Sequence, residues 1–110
     1  MFFSVVIPCV NYKNLINVSK ILNSQTIKNF EIILIIYEYK NNCEIIDKLL
    51  NKHFSSNFNI KVINTNELNV SKARNLGIKN STGLWICFLD DDDIWFKQKL
   101  EIIYNYIKIN

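Results

Sequence analysis

LWICFLDDDDIW, residues 84–95, places four consecutive aspartates directly after a run of apolar and aromatic residues. The chain has only five aspartates, and four of them are Asp90 to Asp93. Close carboxylates repel one another unless a cation offsets their charge, so the run requires a positive partner. Acidic runs are more commonly solvated surface, or caps at the start of a helix. Here residues 85–89 have the pattern of a buried strand, which favours a site at the end of a core element.

Apolar strands alternate with amphipathic helices along the chain. The predicted strands are Phe3–Pro8, Phe30–Tyr37, Asn59–Asn64 and residues 84–89, and the helices are Asn14–Ser24, residues 43–53, Val70–Lys79 and a last one carrying Leu100, Ile103, Tyr104 and Ile107. We expect Pro8 to end the first strand, since proline cannot donate to a ladder. Asn69 or Ser71 should lie near the start of the third helix.

This alternation predicts an α/β fold, a mostly parallel sheet with helices on both faces. Right-handed crossovers place the carboxyl ends of the strands at one edge, where such sheets bind ligands. Three segments should meet there: residues 8–11, residues 37–40 and the acid run. The acid run is therefore expected at the ligand-binding edge.

Length and charge narrow the classes of function. A chain of 110 residues, 49% of them hydrophobic, is one domain with a modest core. The net charge is +3, and subtracting the −4 of the acid run leaves about +7 elsewhere. A basic body around an acid pocket suits a metal-bound anion such as a nucleotide diphosphate, although scattered lysines also serve solubility. Since no basic stripe is interleaved with aromatics, we expect no nucleic-acid partner.

The cysteines and the apolar runs bear on location. Cys9, Cys43 and Cys87 show no CxxC spacing, and His53 is the only histidine, so a zinc site is not expected. An odd cysteine count without a signal peptide predicts a reducing cytoplasm. No apolar run reaches the roughly 18 residues of a spanning helix, and peripheral membrane contact stays open.

Four stretches together resemble the start of a family 2 glycosyltransferase with the Rossmann-like GT-A fold that binds nucleotide-diphospho-sugars. They are SVVIPCVNY at 4–12, LNSQTIKNFEIILI at 22–35, NVSKARNLGIKNSTGLWICFLDDDDIW at 69–95 and FKQKLE at 96–101. A DxD alone is weak evidence, whereas a DxD preceded by ARNxGI, a glycine turn and an aromatic-apolar strand is strong. The resemblance covers nearly the whole chain and implies one donor-binding domain at 1–110, truncated and without the acceptor-side part.

The resemblance implies a divalent cation, Mn²⁺ or Mg²⁺, held by the DxD acids and bridging the diphosphate of a UDP-, GDP- or dTDP-sugar. Asp90 and Asp92 fit the DxD pattern, with Asp91 as the other candidate ligand, also beside the nucleotide. Asp93 is expected to cap the next helix. Arg74, the only arginine, would lie near the diphosphate, and a helix-surface or ion-pair role is the alternative.

The resemblance also implies that Pro8, Cys9, Val10 and Asn11 line the base and ribose pocket. The family's second strand is usually followed by Asp-Asp-Gly-Ser, whereas this chain has Tyr37-Glu38-Tyr39-Lys40. Glu38 is the carboxylate expected to replace the base contact, with Lys40 reaching a phosphate or the tyrosines stacking as alternatives. Gly77 and Gly83 are expected to be packing and turn residues. Trp85 and Trp95 are expected to be core.

The function implied is metal-dependent transfer of a sugar to a glycan, lipid or protein acceptor in cell-surface polysaccharide synthesis. No catalytic base is assigned, because Glu101 is the only acid after the run. The alternative is a non-catalytic remnant that binds nucleotide-sugar or a partner chain. A phosphatase with an Asp-x-Asp nucleophile is disfavoured, since its further acids and lysine are missing. A sheet with an apolar edge also predicts self-association or a second chain.

Overall fold

The computed structural model describes residues 1–109 and shows the expected alternation of strands and helices. The elements are β1 Phe3–Cys9, α1 Leu15–Asn23, β2 Phe30–Tyr37, α2 Cys43–His53, β3 Ile60–Thr65, α3 Val70–Lys79, β4 Trp85–Phe88 and α4 Lys99–Ile109. The strands form one parallel sheet in the order β3-β2-β1-β4. The α/β prediction is confirmed, and β1 lies inside the sheet with β4 at one edge.

Helices cover both faces of the sheet, as predicted. Alternate side chains of β1 point to opposite faces, so Val5 and Ile7 join the larger apolar core while Val6 joins the smaller one. Residues of α1, α2 and α4 pack in the larger core, and Ala73 of α3 packs in the smaller. A Cβ on Gly77 would lie 2.2 Å from Val6 Cγ1, so glycine lets α3 approach the sheet closely.

Pro8 ends one of the two ladders of β1 but not the strand, which continues to Cys9. The Trp85 N–H donates to the Phe2 carbonyl and the Leu89 N–H to the Val6 carbonyl, both at 3.0 Å, so the even residues of β1 face β4. Pro8 lies next in that series and has no N–H to donate. The β1–β2 pairing is unaffected and runs on to Cys9. The chain after β4 is therefore released from β1 where the acid run begins.

The expectation that residues 85–89 form a buried strand is wrong for most of them. Trp85 is 49% exposed and Phe88 is 41% exposed, whereas Leu89 is fully buried. The physical reason is the position of β4 at the sheet edge, since a strand with a neighbour on one side only leaves part of its side chains uncovered. Trp95 is half-buried and packs against the larger core, so the core expectation holds better there.

One buried carboxylate joins the amino ends of all four strands. Glu31 Oε2 accepts hydrogen bonds from Ser4 Oγ at 2.6 Å, from the Thr82 N–H at 2.6 Å and from Thr82 Oγ1 at 2.9 Å. Lys61 Nζ lies 3.3 Å from Glu31 Oε1, and the Glu31 side chain is fully buried. The Gly83 N–H donates to Ser4 Oγ at 2.8 Å. The loop into β4 is thus tied directly to β1 and β2.

Gly83 is required by close packing at this point. A Cβ there would lie 2.7 Å from the Ser4 backbone nitrogen, and backbone atoms cannot move aside cheaply. The expectation that Gly83 serves packing is therefore confirmed. Within residues 1–109, no helix is both long and apolar enough to cross a membrane.

The free energy of unfolding should depend on pH through Glu31, and the pKa of this residue sets the direction of the dependence. Burial alone would raise the pKa of Glu31, but the hydrogen bonds from Ser4 and Thr82 and the ion pair with Lys61 lower it to about 2. The unfolded chain has the ordinary value of 4.5. The contribution is complete above the unfolded value and is lost as the pH falls from there through the folded pKa. Since each pKa unit is worth about 1.4 kcal/mol, Glu31 contributes about 3 kcal/mol near neutral pH.

We expect Glu31→Gln to lower the free energy of unfolding by about 3 kcal/mol at pH 7, measured by urea denaturation. The difference between wild type and variant should shrink below pH 4.5. Glu44→Gln, on the exposed surface of α2, is the matched control and should change stability by less than about 0.5 kcal/mol. A difference that is independent of pH would contradict the account.

Candidate functional site

The four aspartates form a turn that closes on itself. The Asp93 N–H donates to the Asp90 carbonyl at 3.0 Å, and the Asp90 N–H donates to Asp93 Oδ2 at 2.9 Å. Helix α4 begins at Lys99, so the expectation that Asp93 caps the next helix is wrong. Its carboxylate instead caps the turn to which it belongs. The reciprocal bonds hold the acid run at the carboxyl end of β4.

Three of the four carboxylates converge and the fourth points elsewhere. Asp90, Asp92 and Asp93 each offer a carboxylate oxygen, and these oxygens all lie within 4.8 Å of one another. Asp91 Oδ2 instead accepts a hydrogen bond from Asn14 Nδ2 at 3.2 Å, which ties the turn to the start of α1. Hard carboxylate oxygens in this number are the donors that Mg²⁺ and Mn²⁺ prefer. The sequence grouped Asp90 with Asp92 but missed Asp93, because its part in the turn is not visible in a linear pattern.

Arg74 supplies the positive partner of the acid run. Its Nη2 lies 3.0 Å from Asp90 Oδ1 and 3.3 Å from Oδ2, and its guanidinium carbon lies 5.5 Å from the centre of the Phe88 ring. Asn69 Oδ1 accepts the Lys72 N–H at 3.1 Å and caps α3, which sets the register that presents Arg74. Of the two caps expected for this helix, the structure uses Asn69.

The ion pair leaves Arg74 free to take a second anion. The side chains of Arg74 and Asp90 are 39% and 42% exposed, and pairs in such settings contribute about 1 kcal/mol or less. Arg74 Nε is buried and, among the described residues, has no hydrogen-bond partner. Both the ion-pair role and a ligand role are thus compatible with the geometry. Because one planar fork can bind two anions, they do not exclude one another.

The first turn borders a small apolar cavity at the same edge of the sheet. The cavity has a volume of about 200 Å³, and its lining includes Pro8, Cys9, Val10, Tyr37, Glu67 and Ala73. Cys9 Sγ donates to the Asn11 carbonyl at 3.3 Å, and burial, together with Asp91, raises the pKa of the Cys9 thiol. Asn11 Oδ1 accepts the Lys13 N–H and is used by the turn itself. Cys9 is therefore a neutral wall residue, and Asn11 is outside the lining.

Glu38 does not lie where the sequence indicated, and Glu67, which was not expected at the site, lies beside the cavity. Glu38 adopts a left-handed backbone with φ of 58°, and its carboxylate is bonded by the side chain of Asn41. It is outside the cavity lining, whereas Glu67, from the loop after β3, is part of it. Glu67 is also paired with Lys72 at 2.7 Å. No sequence signal marks Glu67, because residues 66–68 show neither periodicity nor a motif.

The parallel sheet, with the acid turn and Arg74 at its carboxyl edge, defines an α/β domain whose candidate ligand site lies at that edge. The model of the family described as glycosyl transferase family 2 matches residues 4–110, and the chain belongs to that family. The chain is similar to the amylovoran biosynthesis glycosyltransferase AmsB of Erwinia amylovora, with 36% identity over 90% of this chain and 33% of AmsB. It is also similar to the poly(ribitol-phosphate) β-N-acetylglucosaminyltransferase TarP of Staphylococcus aureus, with 33% identity over 97% of this chain and 33% of TarP.

Solved structures agree on the fold. The structure of S. aureus TarS 1-349 in complex with UDP-GlcNAc superimposes with a TM-score of 0.74 and 29% identity, covering 98% of this chain and 31% of that chain. The expected GT-A fold is thus confirmed. This chain spans about a third of the length of AmsB and TarP.

Proposed function

We propose that residues 1–110 form the donor-binding domain of a metal-dependent glycosyltransferase. Its substrate is a nucleotide-diphosphate sugar, and its acceptor is a glycan, lipid or protein in cell-surface polysaccharide synthesis. The observation that carries the proposal is the acid turn beside Arg74 at the carboxyl edge of a parallel sheet. The likeness to AmsB, named for amylovoran biosynthesis, and to TarP, named a poly(ribitol-phosphate) β-N-acetylglucosaminyltransferase, supports the polysaccharide class.

The donor diphosphate fits between the acid turn and α3. In this proposal Asp90, Asp92 and Asp93 hold Mn²⁺ or Mg²⁺, and the partly exposed guanidinium of Arg74 binds a phosphate oxygen. The bound cation would supply Lewis-acid stabilisation of the charge that develops on the leaving diphosphate. Asp91 does not bind the metal, since its carboxylate is held by Asn14. It contributes by fixing the turn beside the nucleotide.

The base and ribose occupy the apolar cavity next to the first turn. Pro8, Cys9 and Val10 provide its floor, and Asn11 orders the turn that follows. The cavity of about 200 Å³ is large enough for a pyrimidine base and too small for a whole nucleotide-sugar, whose other parts lie towards the acid turn. The TarS structures with UDP and UDP-GlcNAc support a uridine nucleotide.

The three free cysteines support a reducing, cytoplasmic location.

Loss of the carboxylate should weaken metal binding more at Asp92 than at Asp91. We expect Asp92→Asn to weaken Mn²⁺ binding by at least about tenfold, or roughly 1.4 kcal/mol, because it removes one of three converging oxygens. Loss of the free Mn²⁺ signal in electron paramagnetic resonance titrations measures this. Asp91→Asn removes the same charge from a carboxylate that points away, and it should cost less than about threefold. Equal losses in the two variants would mean that only the general negative field attracts the cation.

In this proposal Glu67, which lines the cavity, contacts the base in place of Glu38, the carboxylate expected from the sequence. A carboxylate accepts the ring N–H of uracil, whereas cytosine presents an acceptor at that position and is repelled. We expect Glu67→Gln to lower UDP affinity by about tenfold and to reduce the preference for UDP over CDP, since bonds to charged groups are worth about 1.5–3 kcal/mol. A fluorescence competition assay measures the affinities for UDP and CDP. The matched variant Glu38→Gln should leave the preference unchanged, and a result with the two variants reversed would return the role to Glu38.

A further inference from the structure

Asn14 occupies the capping position at the start of α1 without capping the helix. Asparagine is favoured at such positions because its side chain accepts an N–H of the first turn. The Asn14 side chain makes no such bond, and its Nδ2 instead donates to Asp91 Oδ2 at 3.2 Å, across a separation of 77 residues in the sequence. The side chain of Asn14 therefore stabilises the acid turn rather than its own helix.

The same face of α1 makes a second contact with the acid turn. Residues three apart in a helix lie on one face, and Asn17 Nδ2 donates to the Asp93 carbonyl at 3.3 Å. In the loop after α1, Gln25 is buried, and its Nε2 donates to the Phe96 carbonyl at 3.1 Å while its Oε1 accepts the Leu100 N–H at 3.1 Å. Three uncharged amides thus hold the acid turn and the segment that follows it.

The acid turn needs support from outside because its carboxylates repel one another. Three carboxylate oxygens lie within 4.8 Å of one another, and the ion pair with Arg74 is made by Asp90. Like charges at such distances favour an open turn when no cation is bound. A neutral amide opposes this opening without reducing the charge that attracts a cation. A cationic side chain in the place of Asn14 would hold the turn but would also repel the cation.

We propose that Asn14 is a positioning residue, which holds the acid turn in the closed form where the carboxylates of Asp90, Asp92 and Asp93 converge. Its hydrogen bond to Asp91 fixes the middle of the turn, while the bonds between Asp90 and Asp93 join the ends. The effect on a cation rests on the proposed function, which assigns the metal to these three carboxylates. The support of the turn is a property of the metal-free chain.

Removal of the Asn14 amide should weaken metal binding without any change in charge. We expect Asn14→Ala to weaken Mn²⁺ binding by about fivefold, or about 1 kcal/mol, the usual contribution of one hydrogen bond. Electron paramagnetic resonance titration measures the affinity. Asn23→Ala is the matched control, because the Asn23 side chain bonds to the backbone of His53 and Ser55 at the opposite end of α1. The control should lower the free energy of unfolding and leave the Mn²⁺ affinity unchanged.

The sign of the effect at position 14 separates positioning from the general negative field. Asn14→Asp adds a negative charge, which by attraction alone would strengthen Mn²⁺ binding. Positioning predicts weaker binding, because two carboxylates then face each other and the turn opens. The double variant Asn14→Asp with Asp91→Asn exchanges donor and acceptor, restores the hydrogen bond and keeps the net charge of the wild type. We expect this double variant to bind Mn²⁺ within about threefold of the wild-type affinity.

Hydrogen exchange in the metal-free chain provides a test that does not depend on Mn²⁺. The Asp93 N–H donates to the Asp90 carbonyl within the turn, and its exchange with solvent deuterium follows the opening of that bond. We expect Asn14→Ala to speed this exchange by about fivefold, measured by NMR, and Asn23→Ala to leave it unchanged.

The two proposals fail in different ways. A folded wild type that binds no Mn²⁺ would overturn the proposed function, and with it the effect of Asn14 on the cation. Wild-type Mn²⁺ affinity in Asn14→Ala, or tighter binding in Asn14→Asp, would overturn the positioning role alone. Unchanged exchange of the Asp93 N–H in Asn14→Ala would overturn that role whether or not the metal binds.

Discussion

The buried carboxylate of Glu31 is the constraint on which the position of the site depends. It accepts hydrogen bonds from Ser4 of β1 and from Thr82 before β4, and it pairs with Lys61 of β3. Side chains alternate along a strand, so a slip of one residue in β4 would exchange its two faces. Fixing the amino end of β4 therefore fixes where its carboxyl end leaves the sheet. Pro8 then ends the β1–β4 ladder, and the acid turn opens beside α3.

The two acidic clusters of the protein differ in how their negative charge is compensated. Glu31 is fully buried, and its charge is compensated by three hydrogen bonds and one cation. The acid turn brings three carboxylates together with Arg74 as the cation that pairs with it. Unpaired like charges at such distances are unfavourable without a further positive ion. The excess negative charge at the acid turn is what a divalent cation would offset.

Much of the fold could be predicted from the sequence, because each element has a strong local signal. The period of the apolar residues placed the strands and helices within a residue or two of their bounds, and Asn69 marked the start of α3. The order of the strands in the sheet is not determined by local sequence. The exposure of Trp85 and Phe88, which lie on an edge strand, was therefore missed. Glu31 lies in FEIILIIY, where its neighbours predict only an apolar strand, and its partners come from distant segments.

The residues of the candidate site could be predicted only in part. Asp90, Asp92 and Arg74 belong to a motif with fixed spacing, and the fold brings them together. Asp93 and Glu67 take their places through a turn and a loop whose shapes depend on tertiary contacts. Loops carry few periodic signals and are positioned by the scaffold around them. Residues of this kind can be identified only after the chain has been folded.

Calorimetric titration of UDP-GlcNAc into the wild-type chain, with and without Mn²⁺, shows whether the acid turn is a metal-dependent donor site. We expect Mn²⁺ to strengthen nucleotide-sugar binding by at least about tenfold, a coupling of roughly 1.4 kcal/mol, and Asp92→Asn to remove this gain. The same coupling should appear in the reverse order of addition, since linkage is reciprocal. Binding that is indifferent to Mn²⁺, or no binding in a sample shown to be folded, would contradict the assignment of the acid turn as a metal-dependent donor site.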